Sequence, residues 1–203
     1  MKITSSVLLL TGALGVLCSP ALGQAPSAPP AVTSPAAPQS QPYAAAPAAA
    51  PAQYVSRTTK AVNYRRTGGA VKIDFQGTDL MGQASGEAKV QNKGNRVEIE
   101  AKFVGLDEAT KFGLEYLTYV LWAVSPEGRA VNLGEVVLKS GAGEVKAITD
   151  MQTFGMIVTA EPYFAVTQPG NAVVLENIIN SSTMSKVENI SASYELIARG
   201  TYS

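Results

Sequence analysis

The chain has 203 residues, 16 Lys+Arg against 16 Asp+Glu, no histidine, and a single cysteine at Cys18. Balanced charge without a basic block argues against nucleic acid or an anionic membrane surface as partner. Without histidine, and without cysteine once Cys18 is removed, there is no usual zinc set, no thiol chemistry and no Ser-His or Cys-His nucleophile, so no cofactor, metal or catalytic residue is assigned.

The chain opens as an export signal. Lys2 supplies the positive start, residues 7–17 form a short apolar stretch, and Ala21-Leu22-Gly23 places small residues where a signal peptidase reads, ahead of Gln24. The stretch is too short for about 30 Å of hydrocarbon, and no other segment approaches ~20 apolar residues, so no integral membrane span is expected after cleavage. Cys18 invites a lipoprotein reading, which Leu17 and Gly15 disfavour at the positions where small and aliphatic residues are wanted. The mature chain would be slightly acidic and free of disulfides.

Residues 24–56 carry no charge and hold Pro26, Pro29, Pro30, Pro35, Pro38, Pro42, Pro47 and Pro51 among Ala, Ser and Gln. Such spacing blocks helix propagation and favours stretched, disordered conformers. The segment reads either as a spacer that holds the domain away from an attachment point or as a tolerated low-complexity leader.

From Lys60 the pattern turns to period two. Val71, Ile73 and Phe75 alternate with Lys72, Asp74 and Gln76; Ala88 and Val90 with Glu87, Lys89 and Gln91; Val97, Ile99, Ala101 and Phe103 with Glu98, Glu100 and Lys102. A turn closed between Asn92 and Asn95 predicts Val90 opposite Val97 and Ala88 opposite Ile99, with Glu87 facing Glu100 as a misfit. Residues 116–124 are almost unbroken apolar and read as a strand buried on both faces. Ser125-Pro126-Glu127-Gly128 is a type I turn by composition and predicts Trp122 opposite Val131 and Val120 opposite Leu133. Further strands are expected at 144–149, 154–160, 172–177 and 191–202, with short helical candidates at 107–111 and 181–186.

This pattern predicts an all-β, immunoglobulin-like antiparallel β-sandwich over residues 57–203, preceded by a signal peptide at 1–23 and a disordered Ala/Pro-rich linker at 24–56. A membrane barrel is disfavoured because the strands are mostly short and carry charge on their second face. Trp122, with Val120, Val124, Val131 and Leu133, is expected in the core. Tyr119 and Leu121 point the other way, where no sheet partner is evident. With Tyr163 and Phe164 they form the candidate partner surface, unless a loop such as 112–115 covers them. Asp74, Asp79, Asp107, Glu108, Asp150 and Glu161 lack any signature spacing and are expected to be solvated, and no calcium-loop pattern occurs. Asn180-Ser181-Ser182 and Asn189-Ile190-Ser191 are glycosylation sequons in hosts that use them.

The order Gly77-Thr78, Gly86-Glu87-Ala88-Lys89-Val90, Gly105-Leu106, Tyr119-Val120-Leu121-Trp122-Ala123-Val124-Ser125-Pro126-Glu127-Gly128, Gly134 and Val158-Thr159-Ala160-Glu161-Pro162 resembles the extracytoplasmic β-sandwich of anti-sigma-K factors. The wording of residues 116–127, 132–135 and 157–169 is closer still to the exported module at the front of OmpA-family envelope proteins of Acidobacteria-like bacteria. The resemblance covers nearly everything after Lys60. It implies a non-catalytic module of the periplasm or outer envelope that docks to another envelope protein or a cell-wall component. The alternative is a sensor or anti-sigma-type ectodomain held by an uncleaved signal, and cleavage after Gly23 separates the two. These 203 residues contain neither a cytosolic sigma-binding part nor an OmpA-like domain.

Overall fold

Alternating apolar and polar residues become strands whose two faces differ, and the architecture follows from where each apolar face finds cover. The computed structural model describes residues 53–180, 183 and 188–199. The signal segment, the linker up to residue 52 and the helix candidate at 181–186, apart from Thr183, lie outside the described residues. In chain order the strands are β1 (Tyr54–Asn63), β2 (Val71–Gly77), β3 (Ser85–Asn92), β4 (Val97–Val104), β5 (Thr118–Val124), β6 (Ala130–Glu135), β7 (Val137–Lys139), β8 (Ala142–Thr149), β9 (Thr153–Glu161), β10 (Val173–Ile178) and β11 (Asn189–Ile197). A 3-10 turn at Tyr64–Arg66 follows β1, and one at Ala109–Phe112 stands where the first helical candidate was expected.

The expected all-β antiparallel architecture is present, with every strand ladder antiparallel. The sheet curls until it nearly closes. Going round, β5 pairs β9, β9 pairs β10, then β2, β3, β4 and β8 follow; β8 pairs β7, which continues β6 through Val136, and β6 returns to β5. Closure is partial, because β7 engages β8 only over residues 142–144, and β6 forms no ladder with the rest of β8. The β1–β11 ladder forms a two-stranded ribbon joined to this ring at Val62 and Asn63, which pair with Phe154 and Thr153 of β9.

Two cores result. The larger fills the ring, with Ile73, Phe75, Val90, Ile99, Phe103, Leu121, Met156 and Val158 among its members. The smaller lies outside β5, β9 and β10, where Val120, Trp122, Val124, Ile157 and Val173 meet Ala61, Ala192, Tyr194 and Leu196 of the ribbon. β5 is therefore apolar throughout because one face lines the ring and the other lies beneath the ribbon. Burial of both faces makes a strand nearly continuous in hydrophobicity, and Trp122 is fully buried as its sequence position suggests.

At the fork where β1 leaves the ring, the Asn177 side chain replaces the missing ladder. Its Oδ1 accepts from the Thr59 hydroxyl at 3.0 Å and from Met156 N–H at 2.7 Å, while Nδ2 donates to the Lys60 carbonyl at 2.9 Å. These groups are buried or nearly so, and each would otherwise lack a partner.

Three expectations need correction. The β3–β4 hairpin closes between Lys93 and Arg96, with Gly94 at φ +83° as the first residue of a two-residue turn. Val90 therefore faces Ile99, Ala88 faces Ala101, and Glu87 faces Lys102 instead of Glu100, which removes the misfit. In the β5–β6 hairpin, Gly128 takes φ +87° after the type I turn, so Ser125 N–H reaches Arg129 O and the register moves by one. Trp122 faces Asn132 and Ala123 faces Val131, and a bulge before Gly134 carries Leu133 past the ladder. Val131 and Leu133 consequently pack into the ring core and not beside Trp122. Finally, β1 begins at Tyr54, within the stretch read as linker, because a ladder with β11 recruits a polar run that has no alternation of its own.

Candidate partner surface

At the end of the ring where β5 begins and β9 ends, two loops lie side by side. Leu117 N–H donates to the Glu161 carbonyl at 2.9 Å, which sets residues 113–117 against residues 162–164. Four large apolar side chains project from this pair of loops: Leu114 is 88% exposed, Leu117 68%, Phe164 60% and Tyr163 57%. Leucine and aromatic side chains left in water on adjacent loops form the kind of patch that marks a contact surface.

The loop carrying Tyr163 and Phe164 is firmly held although its tip is exposed. Asn132 Nδ2 donates to the Phe164 and Val166 carbonyls, each at 2.8 Å, and Asn132 Oδ1 accepts from Gly134 N–H at 2.9 Å. Val166 is buried in the smaller core. Farther along, Ile197 N–H donates to Pro169 O and Asn171 N–H to Ile197 O, both at 3.0 Å.

Behind the patch runs a buried polar chain. Trp122 Nε1–H donates to Thr159 Oγ1 at 2.8 Å, Thr159 donates in turn to Glu161 Oε1 at 2.6 Å, and Gly170 N–H reaches the same oxygen at 2.6 Å. Glu161 Oε2 lies 2.9 Å from Arg199 Nε in a buried ion pair. Arg199 Nη2 donates to Gln168 O at 3.0 Å. Burial pushes the Glu161 carboxyl above the usual range, opposed by the Thr159 hydroxyl, the Gly170 amide and the Arg199 charge.

Of the sequence-predicted surface residues, the structure brings Tyr163 and Phe164 together in the open. It does not do so for Tyr119 and Leu121, which are fully buried. Their face lines the ring, because the curling sheet carries β2, β3, β4 and β8 across to cover it. Tyr119 also donates its hydroxyl to the Asp107 carbonyl at 2.9 Å, and Phe112 packs on the same core, so the loop ahead of β5 contributes cover as well. Leu114 and Leu117 take their place, against expectation: Leu117 was read as the second residue of a strand buried on both faces and Leu114 as part of a covering loop, but the strand begins only at Thr118, and both leucines are left in the loop ahead of it and exposed. The signal was two leucines flanking a buried Tyr116 in a loop, where a single face can hide only some of them.

Among the acidic residues, Asp79, Asp107, Glu108 and Asp150 are exposed as expected. Asp74 is half-buried and engaged by Lys72 and the Asn180 amide. Glu161 is the exception to the solvated reading. It is fully buried because it ends β9 facing the smaller core, beneath the returning loop and Arg199.

A groove of about 650 Å³ follows the incomplete seam between β6–β7 and β8, floored by Phe103, Gly134, Gly143 and Val145 and rimmed by Lys102 and Lys139. Among the described residues no group of three metal-ligating side chains occurs, and no helix is long and apolar enough to cross a membrane. No protein-family model, curated protein or solved structure matches this chain.

Proposed function

We propose that this chain is a non-catalytic, exported β-domain of the cell envelope, and that it works by docking the end formed by Leu114, Leu117, Tyr163 and Phe164 against another envelope protein or a cell-wall component. The observation that carries this reading is the pairing of exposure with restraint. Four large apolar side chains stand in water on loops whose backbones are pinned by Asn132, the Glu161 carbonyl and Ile197. A pinned apolar patch loses little conformational freedom on binding, which favours a specific contact over incidental stickiness. The export signal at residues 1–23 and the resemblance to the front module of OmpA-family envelope proteins support the envelope as the place of action.

The test is co-sedimentation of the purified chain with isolated envelopes of the producing cell. Replacing both Leu117 and Phe164 by Ser should reduce retention at least tenfold, the loss expected from two interface anchors of more than about 1 kcal/mol each. The melting temperature should stay within about 2 °C, since exposed residues contribute little to folding. Retention equal to that of the unaltered chain would dismiss this end as the docking surface.

A further inference from the structure

We propose that this chain pairs with a second copy of itself along the open edge of β1, so that two ribbons join into one antiparallel sheet of four strands in the order β11, β1, β1 and β11. The pairing makes no use of the docking end proposed above.

Alternate residues of an edge strand turn their N–H and C=O groups to opposite sides. At the two ends of the ribbon Ala198 N–H donates to Gln53 O and Asn63 N–H to Glu188 O, and the ladder between them runs without a bulge, so the odd-numbered residues of β1 bond to β11. The even-numbered residues face the other way. There Val62 is taken by Phe154 of β9, and the Lys60 carbonyl by Asn177 Nδ2. Tyr54, Ser56 and Thr58 have no such cover. All three are exposed, and no strand or loop among the described residues pairs with their outward N–H and C=O groups. A polar cleft of about 280 Å³, lined in part by Arg57, Gln76, Asp79 and Glu176, leaves space beside this edge.

The edge carries none of the devices that keep sheet edges apart. From Tyr54 to Thr59 there is no proline, glycine, lysine or bulge, and Tyr54 and Val55 stand 55% and 44% exposed. The one charge in this stretch, on Arg57, is engaged by Glu176 at 3.3 Å. A second copy fits because the edge is complementary to itself. With Ser56 on a two-fold axis, Ser56 pairs with Ser56 of the other copy and Tyr54 with Thr58 in both directions, each pair exchanging two backbone bonds. All the free groups are then used. Arg57 faces Val55 of the other copy, so no like charges meet. A shift of the ladder toward β9 would need the Lys60 carbonyl, which Asn177 already holds.

The outer edge of β11 is blocked. Ile197 is bonded to Pro169 and Asn171, and the Gly128 backbone lies so close to the Ser193 carbonyl that a Cβ there would stand 2.5 Å from it. With one open edge per ribbon, association closes at two copies and does not run on into a fibre.

Light scattering on the full chain tests the pairing, because it reads mass irrespective of shape. The mass should climb from that of one chain toward that of two as the concentration rises to about 0.5 mM, since a ladder without a large apolar interface associates weakly. Ser56→Pro removes the outward N–H at the axis and leaves every β1–β11 bond in place, so it should hold the mass of one chain throughout with a melting temperature within about 2 °C of wild type. In a Cys18→Ser background, Ser56→Cys should cross-link two chains on mild oxidation, because paired residues of this kind stand about 5.5 Å apart between Cα atoms, within disulfide reach. Lys60→Cys in the same background lies about 26 Å from its symmetry mate and should cross-link at least tenfold less. A wild-type mass that stays at one chain up to 0.5 mM overturns the pairing. So does a Ser56→Pro variant that associates as wild type does, or equal cross-linking through positions 56 and 60. Should Ser56→Pro fail to fold, the two cysteine variants decide. Replacing both Leu117 and Phe164 by Ser should leave the association unchanged; its loss there would move the contact to the docking end and sink the β1 ladder.

Discussion

Truncating Asn177 to Ala tests whether one side chain joins the ribbon to the ring. The amide is 5% exposed and makes three hydrogen bonds, to Thr59, Met156 and Lys60, none of which has a backbone substitute at the fork. Loss of the acceptor orphans Met156 N–H in a fully buried residue, which costs about 1–3 kcal/mol, and the two remaining bonds contribute about 1 kcal/mol each. The sum is about 3–5 kcal/mol, against about 5–15 kcal/mol for a whole domain. A polar cleft of about 280 Å³, lined in part by Arg57, Glu176 and Asn177, opens beside the amide, and water entering from it would draw the cost toward the lower figure. Urea unfolding followed by circular dichroism supplies the number by linear extrapolation. Thr59→Val is the control that removes one bond only and should cost about 1 kcal/mol. Combining the two should give less than the sum of the separate effects, since both delete the same Thr59–Asn177 contact. An Asn177→Ala cost below about 1 kcal/mol would refute the reasoning and leave the ribbon held by its apolar face and by the Val62 and Asn63 rungs on β9.

Trp122→Ala empties the centre of the smaller core and should cost about 3–5 kcal/mol in the same assay, whereas Trp122→Phe should lose mainly the bond to Thr159 and cost far less. A blue-shifted, poorly quenched emission from this sole tryptophan accompanies full burial, and a red-shifted one contradicts it. Stability should also depend on pH in two opposed ways. The folded Glu161 carboxyl binds its proton more tightly than at its ordinary value of 4.5, so its contribution is present below that value and is lost as the pH rises through the folded pKa. Unfolding free energy should therefore grow as the pH is lowered from neutral toward about 4.5, and Glu161→Gln should flatten this rise. Glu87 and Glu127 have lowered values, through Lys72 and through Ser125 respectively, so their contributions are present above the ordinary value and are lost as the pH falls below it. Denaturant midpoints that decline steadily from neutral pH into acid in the wild type would contradict the assignment at Glu161.

Alternation alone sufficed to place the inward and outward faces of β2, β3 and β4, even though the hairpin between β3 and β4 is shifted by two residues from the pairing it suggested. A two-residue slip preserves parity, so every side chain keeps its face while every cross-strand partner changes. The β5–β6 hairpin shows the other case. There Gly128 moves the ladder by one, and Val131 and Leu133 change sides. Both shifts originate in turn geometry, set by one glycine each, which hydrophobic pattern does not encode. The cover over Tyr119 and Leu121 was hidden because it depends on curvature, and curvature is a property of the whole sheet. Glu161 was hidden for a related reason. The groups that bury it come from residues 168–170 and from Arg199, and the charge that accompanies it is 38 positions away along the chain.

The ribbon also decides how this domain meets a mechanical load. β1 and β11 run antiparallel, and their outer ends coincide where Ala198 N–H donates to Gln53 O and Tyr54 faces Ile197. Chain approaching through Gln53 and chain departing through Ala198 thus do so at one corner. Tension between those two directions falls on the Tyr54–Ile197 rung first and passes inward one rung at a time, so the nine-rung ladder opens as a zipper and never resists as a whole in shear. Yielding of this kind proceeds stepwise, and it begins to uncover the smaller core as soon as Leu196 and Tyr194, on the second and fourth rungs, are drawn away, while the ring stays shut. The ribbon is in that sense a sacrificial link, placed between whatever pulls on the domain's ends and the core that keeps its shape.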